Sequence, residues 1–181
     1  MKITDTELPG VKVIQLDVFK DSRGYFLETH NVARYRDAGI PDTFIQDNLS
    51  RSVKNTLRGL HYQEPFAQGK LVTVLDGSVF DVVVDIRRGS PTFGRWWGME
   101  LRAEDARQIW IPAGYAHGFA VTSETALFQY KVTERYSKES ERSLLWNDPE
   151  VGIRWPISEP LLSPKDAAAP TLRTAEVLPK Y

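Results

Sequence analysis

The stretch Leu57-Arg58-Gly59-Leu60-His61-Tyr62-Gln63, followed by Ala67-Gln68-Gly69-Lys70, brings an imidazole, a guanidinium and an ammonium within fourteen residues. Their neighbours are apolar or turn-forming, so the three do not belong to a solvated charge run. Imidazole titrates nearest neutrality and can take and return protons at cell pH. Arginine suits diphosphate oxygens through its paired donors, and lysine can stabilise the oxygen of a developing enolate. The same residues also read as a half-buried histidine bonded to backbone, with Arg58 and Lys70 solvated at strand ends.

Of the three histidines, His30, His61 and His117, two invite a metal hypothesis. Pro112-x-Gly114-x-x-His117 resembles half of the metal signature of cupin barrels. Where the other half would give His-x-His, this chain has His61-Tyr62-Gln63, and Val121 stands four residues after His117 in place of a ligand. A divalent ion normally takes three or four protein ligands, which a pair of histidines does not supply. No metal is expected. His117 is then either a satisfied core histidine or a second polar group in the His61 pocket, and His30, beside Asn31 at a helix start, is structural. Tyr130 and Tyr136 lie on and just after Phe128-Gln129-Tyr130-Lys131-Val132. Tyrosines in strands mostly pack. A histidine base facing a phenol acid, with a lysine nearby, would nevertheless suit removal of a proton from one face of a carbon beside a ketone and its return on the other.

The elements that must hold these groups are mostly strands. Near-alternation over Val11 to Phe19 predicts a half-buried strand, Asp21-Ser22-Arg23-Gly24 a turn, and Tyr25 to Thr29 a second strand. Asn31 can cap a short helix through Ala38, stopped by Gly39 and Pro41. Phe44 to Asn48 reads as another strand. Lys70 to Leu75 and Ser78 to Ile86, joined by Asp76-Gly77, carry the strongest short-range hairpin signal and predict an antiparallel pair. After a turn at Arg88-Gly89-Ser90-Pro91 come an aromatic stretch, Trp96 to Leu101, and short strands at Gln108 to Ile111, His117 to Thr122 and Ala126 to Val132. This spacing suits a sandwich or barrel. With no βαβ rhythm and no glycine-rich phosphate loop, nucleotide-binding Rossmann and P-loop folds are discarded. From Trp146 the chain reads as an extended segment that packs on the barrel. Ser163-Pro164-Lys165-Asp166 in it starts a helix, with serine as N-cap and Asp166 reaching back to the cap.

At 181 residues the chain is expected to form one domain, residues 1–181, burying roughly 70% of its unfolded surface. Lysine plus arginine number 23 against 24 aspartates plus glutamates, so no long-range attraction draws in nucleic acid or an anionic membrane. The absence of cysteine excludes disulfides and thiolate chemistry. The polar start and the shortness of the apolar runs give no signal peptide or membrane span, so a cytoplasmic protein is expected.

Taken in order, the motifs resemble those of the RmlC family of dTDP-4-dehydrorhamnose 3,5-epimerases. Those that carry the resemblance are Arg58-Gly-Leu-His61-Tyr-Gln, Ala67-Gln-Gly-Lys-Leu71, Val79-Phe-Asp-Val82, Arg88-Gly-Ser-Pro-Thr-Phe-Gly94, Ile111-Pro-Ala-Gly-Tyr-Ala-His-Gly-Phe119, Trp146-Asn-Asp-Pro149 and Leu162-Ser-Pro-Lys-Asp166. The resemblance implies an all-β, cupin-like jelly-roll barrel that dimerises by strand exchange and acts without a cofactor on a nucleotide-linked 4-keto-6-deoxyhexose. It makes His61 the general base and Asp166 its orienting partner, overriding the cap-only reading. Lys70 would stabilise the enolate, and Tyr130 would be the acid on the opposite face. Arg58 would contact the diphosphate. Arg23, Phe26, Glu28, Gln46, Asn48 and Tyr136 would line the nucleotide and sugar pocket, some of them across the dimer, with His117 and Asp81 as secondary members. Asn55-Thr56 and His30 depart from the usual pattern without touching a catalytic role. Relatives that epimerise only C3 or only C5 share the same histidine and tyrosine, so single and double epimerisation both stay open. The intact set of His61, Asp166, Lys70 and Tyr130 argues against a non-catalytic sugar-nucleotide-binding barrel.

Overall fold

The computed structural model describes residues 1–41 and 43–181. In chain order its strands begin with β1 (Lys2–Asp5), β2 (Lys12–Gln15), β3 (Val18–Asp21) and β4 (Gly24–Leu27), followed by helix α1 (Val32–Asp37). Then come β5 (Gln46–Val53), β6 (Leu57–Gln63), β7 (Lys70–Asp76), β8 (Ser78–Asp85) and β9 (Trp96–Arg102). The remainder is β10 (Arg107–Ile111), β11 (Tyr115–Val121), β12 (Thr125–Val132), β13 (Glu141–Ser143) and the single turn of α2 (Pro164–Ala167).

Two antiparallel sheets, in the orders β1-β2-β10-β7-β12-β5 and β13-β6-β11-β8-β9, pack face to face as a jelly roll, with the β3-β4 hairpin outside both. Inward side chains of both sheets make the central core, among them Val72 and Val74 of β7, Val79 and Val83 of β8, and Phe119 and Phe128, whose rings stack at 4.1 Å. Each large side chain buried this way contributes about 1.5–3 kcal/mol. The tail after Leu144 covers the outer face of the second sheet, where Val151, Leu172 and Ala175 meet Leu60, Tyr62, Val82 and Val84. This explains the unbroken Val82-Val83-Val84 run: β8 is covered on both faces, so neither parity of the strand needs polar residues. Helix α1 lays Tyr35 on the outside of the first sheet with Ile14, Leu71 and Trp110. Its cap is Asn31, which accepts the Arg34 amide at 3.3 Å.

Three predicted elements are corrected. The single strand over Val11 to Phe19 divides into β2 and β3. Leu16 turns inward and gives its amide to the Ala106 carbonyl at 3.0 Å, while Asp17 pairs with the amino terminus. The strands flanking Asp76-Gly77 do not pair with each other: β7 lies between β10 and β12, and β8 between β11 and β9. The glycine turn is a corner from one sheet to the other. Gly77 has φ +75°, and a Cβ there would sit 2.1 Å from the Thr125 carbonyl oxygen, so the corner needs glycine as a hairpin would. The strand predicted over Phe44 to Asn48 starts at Gln46 and runs on to Val53.

Candidate active site

Arg58 and His61 are three residues apart, a spacing that in a regular strand points side chains to opposite faces. Along β11 the register pairs His117 with His61 and then Phe119 with Arg58, so β6 carries one residue more than its partner between those pairs. This is a β-bulge, and it brings both side chains to the same pocket. Gly59 permits it, with φ +127° and no Cβ, which would lie 2.5 Å from Gly118 Cα. The pocket lies between the sheets, has a cavity volume of about 120 Å³, and is also lined by Lys70 of β7, His117 of β11, Tyr130 of β12 and, just beyond it, Tyr136.

His61 is partly exposed at the pocket, and its Nε2 lies 2.6 Å from Oδ1 of the buried Asp166. Burial alone would raise the Asp166 carboxyl. The hydrogen bonds from His61 and Ser163, together with the charges of His61 and Lys165, outweigh it and hold the group ionised below the usual aspartate range. A carboxylate on Nε2 favours the tautomer that leaves the Nδ1 lone pair free to accept a proton. Lys70 opens β7 facing inward with Val72 and Val74, and its Nζ donates to the His61 carbonyl at 3.1 Å. Burial pushes its ammonium down to about 8, against the opposing pull of Asp81 and Glu141. Burial, reinforced by Glu141, raises the Tyr130 phenol despite nearby Arg58, so it stays protonated at neutral pH. His117 Nε2 sits 2.9 Å from Oδ2 of Asp81, both buried, and stacks on Phe128. Together the pocket holds an oriented base, a cation and a protonated phenol, the parts needed to move a proton off and onto a carbon next to a carbonyl.

Of the residues expected from sequence, Arg58, His61, Lys70, His117, Tyr130 and Tyr136 meet in this one pocket, with Asp166 behind His61 and Asp81 behind His117. Gln46 and Asn48 stand on β5 at its rim. Gln46 bonds Asn48 at 2.7 Å and accepts the Tyr136 amide at 3.1 Å, and Asn48 lies opposite Tyr130 in register. Arg23, Phe26 and Glu28 are not brought to it within the chain: Arg23 pairs with Asp21 at 2.6 Å, Glu28 with Arg34 at 3.1 Å, and Phe26 is exposed. Sequence reasoning missed Glu141, which lines the pocket, bonds Lys165 at 2.7 Å and accepts from the Tyr136 hydroxyl at 3.2 Å. The three-residue β13 that carries it has no periodicity to read, and nothing in Pro164-Lys165-Asp166 marks the lysine as more than a first-turn residue of a helix. Among the described residues no three histidine, cysteine, aspartate or glutamate side chains gather as a metal site would need.

A sequence profile described as dTDP-4-dehydrorhamnose 3,5-epimerase matches residues 5–174. A protein of that name from Pseudomonas aeruginosa is 52% identical over 181 residues, 99% of this chain and 100% of the relative. The crystal structure of a dTDP-6-deoxy-D-glucose-3,5-epimerase, RmlC, from Legionella pneumophila in complex with dTDP-4-keto-L-rhamnose matches with TM-score 0.96 and 53% identity, covering 99% of this chain and 98% of that one. A 3'-monoepimerase from Streptomyces bikiniensis in complex with dTDP-quinovose matches with TM-score 0.92 and 37% identity, covering 97% and 92%.

Proposed function

The chain belongs to the dTDP-4-dehydrorhamnose 3,5-epimerase family, and from that premise we propose how its pocket divides the work. The protein is an isomerase that converts dTDP-4-keto-6-deoxy-D-glucose to dTDP-4-keto-L-rhamnose by inverting C3 and C5. Both carbons flank the C4 ketone, so loss of either proton gives an enolate with its charge on O4. His61 takes the proton through Nδ1, Asp166 holds the ring and balances the imidazolium, and the Lys70 ammonium stabilises O4. Tyr130 returns a proton on the opposite face, and both groups re-equilibrate with solvent before the next turnover. The observation that carries this reading is the 2.6 Å pairing of His61 with a buried, ionised Asp166 in the pocket that also holds Lys70 and Tyr130.

Arg58 contacts the diphosphate from the pocket's edge, where its Nε donates to Ser52 at 3.0 Å, and Gln46, Asn48, Tyr136, His117 and Asp81 complete the sugar and nucleotide site. The active form is a homodimer in which the exposed β3-β4 hairpin, carrying Arg23, Phe26 and Glu28, reaches a second copy's pocket. Its nucleotide-linked substrate puts the enzyme in the cytoplasm. Incubation with dTDP-4-keto-6-deoxyglucose in deuterated water tests the reaction. Exchange at C3 and C5 with inverted product supports it, exchange at one carbon alone would make the protein a mono-epimerase, and exchange at neither would sink it.

A further inference from the structure

The turn that caps α2 uses one carboxylate for two purposes. Asp166 Oδ1 faces His61 Nε2 at 2.6 Å, and Oδ2 accepts the Ser163 hydroxyl at 2.9 Å. The same Ser163 oxygen accepts the Asp166 amide at 3.1 Å, the ordinary N-cap bond. Asp166 is 3% exposed, so in the intact turn the serine hydroxyl, and not bulk water, is the donor to Oδ2. The terminal torsion of aspartate is soft and nearly two-fold. Without a partner on Oδ2 the carboxylate could turn and present either oxygen, at varying angles, to the imidazole.

We propose that Ser163 is a positioning residue for the reaction: its hydroxyl, by engaging Oδ2, locks the Asp166 carboxylate so that Oδ1 alone meets His61 Nε2 and Nδ1 points at the substrate carbon. This rests on His61 being the base. It goes beyond capping, because a cap needs only an acceptor for the Asp166 amide, whereas positioning needs a donor for Oδ2. The two demands separate by substitution. Ser163→Thr keeps both. Ser163→Asn keeps a cap acceptor of equal rank, and the exposed position accommodates it. Its capping oxygen carries no proton, so the atom that accepts the Asp166 amide can no longer donate to Oδ2. Ser163→Ala loses both.

Steady-state kinetics on the full-length enzyme, with each variant's melting temperature measured alongside, decides the matter. Thr should stay within about twofold of wild type. Ala and Asn should lose kcat by roughly 10- to 100-fold with KM little changed, the factor expected of a hydrogen bond to a charged group. Should Ala fail to fold, Asn carries the test. An Asn variant with wild-type kcat, a Thr variant as impaired as Ala, or a loss confined to KM would each overturn the proposal. His61→Ala, run in parallel, isolates the premise: if it retains activity, the base is wrong, whatever the Ser163 variants do.

Discussion

At the scale of single residues, inversion demands two groups on opposite faces of a carbon, because one group that removes and returns the same proton restores the original configuration. His61→Ala should therefore abolish exchange and epimerisation together, by about 10²–10⁴ or more for a positioned base. Tyr130→Phe keeps the ring's packing and leaves His61 and Lys70 able to form the enolate. Solvent deuterium should still enter the substrate while inverted product falls sharply, both read on one sample, and undiminished inversion would move the acid to another group, Tyr136 first. Lys70 gives a pH dependence of known sign. Only its ammonium can stabilise O4, and burial lowers its pKa to about 8 from 10.5. Thus kcat/KM should fall as pH rises through about 8, and Lys70→Met should lose both rate and that limb. Stability should move the other way: between about 8 and 10.5 the unfolded chain holds a proton the native state has released, so this group's contribution rises with pH. Urea unfolding across that range, on wild type and Lys70→Met, measures it. Composition and spacing drew attention to His61, Lys70 and Tyr130. They could not place Asp166, because a cap acid and a carboxylate orienting a histidine share one pattern in Ser163-Pro-Lys-Asp166, and the side chain does both.

At the scale of elements, the bulge in β6 is what turns Arg58 and His61 toward the same pocket. Gly59→Ala puts a Cβ where φ is +127° and Gly118 Cα is 2.5 Å away, a backbone atom that cannot swing aside. The variant should lose about 2 kcal/mol or more of stability and, where folded, lose activity with either Arg58 or His61 displaced. Urea midpoints and kcat/KM report the two losses, and a variant unchanged in both would mean the strand carries the site without its glycine. Parity counting on the sequence would have set Arg58 against His61, since nothing in Arg-Gly-Leu-His states that β6 holds an extra residue against β11. The α1 cap at Asn31 and strands β10 to β12 were readable, because caps and alternation are local physics, whereas β9 read only as an aromatic stretch. Asp76-Gly77 reads as a hairpin for the complementary reason: a glycine turn fixes the direction of the chain locally, while the identity of each strand's neighbours depends on contacts far away in sequence. Glu141 escaped for want of any local pattern around it.

At the scale of the whole molecule, the proposed dimer draws on apolar surface that the single chain leaves exposed. Phe19, Tyr25 and Phe26 are 63%, 69% and 70% exposed on the β3-β4 hairpin, and an isolated two-stranded hairpin is marginal in water. Strand β5 forms a sheet edge with Leu49 and Val53 exposed, an open edge of the kind proteins normally cover or charge. The net charge of −1 offers little repulsion between copies. Light scattering should accordingly find a dimer. A stronger test asks whether Arg23 serves its own chain or its neighbour's. His61→Ala lacks the proposed base, and Arg23→Ala lacks a proposed substrate contact in the hairpin. Each homodimer should be impaired. In a heterodimer, if hairpins exchange, the Arg23→Ala chain's pocket keeps its His61 and receives an intact hairpin from the His61→Ala chain, so one of its two sites is complete. Unfolding the two together and refolding them at equal ratio should yield roughly a quarter of wild-type sites by random pairing of symmetric copies. Activity no greater than the mean of the two separately refolded variants would mean that the hairpin serves the pocket of its own chain.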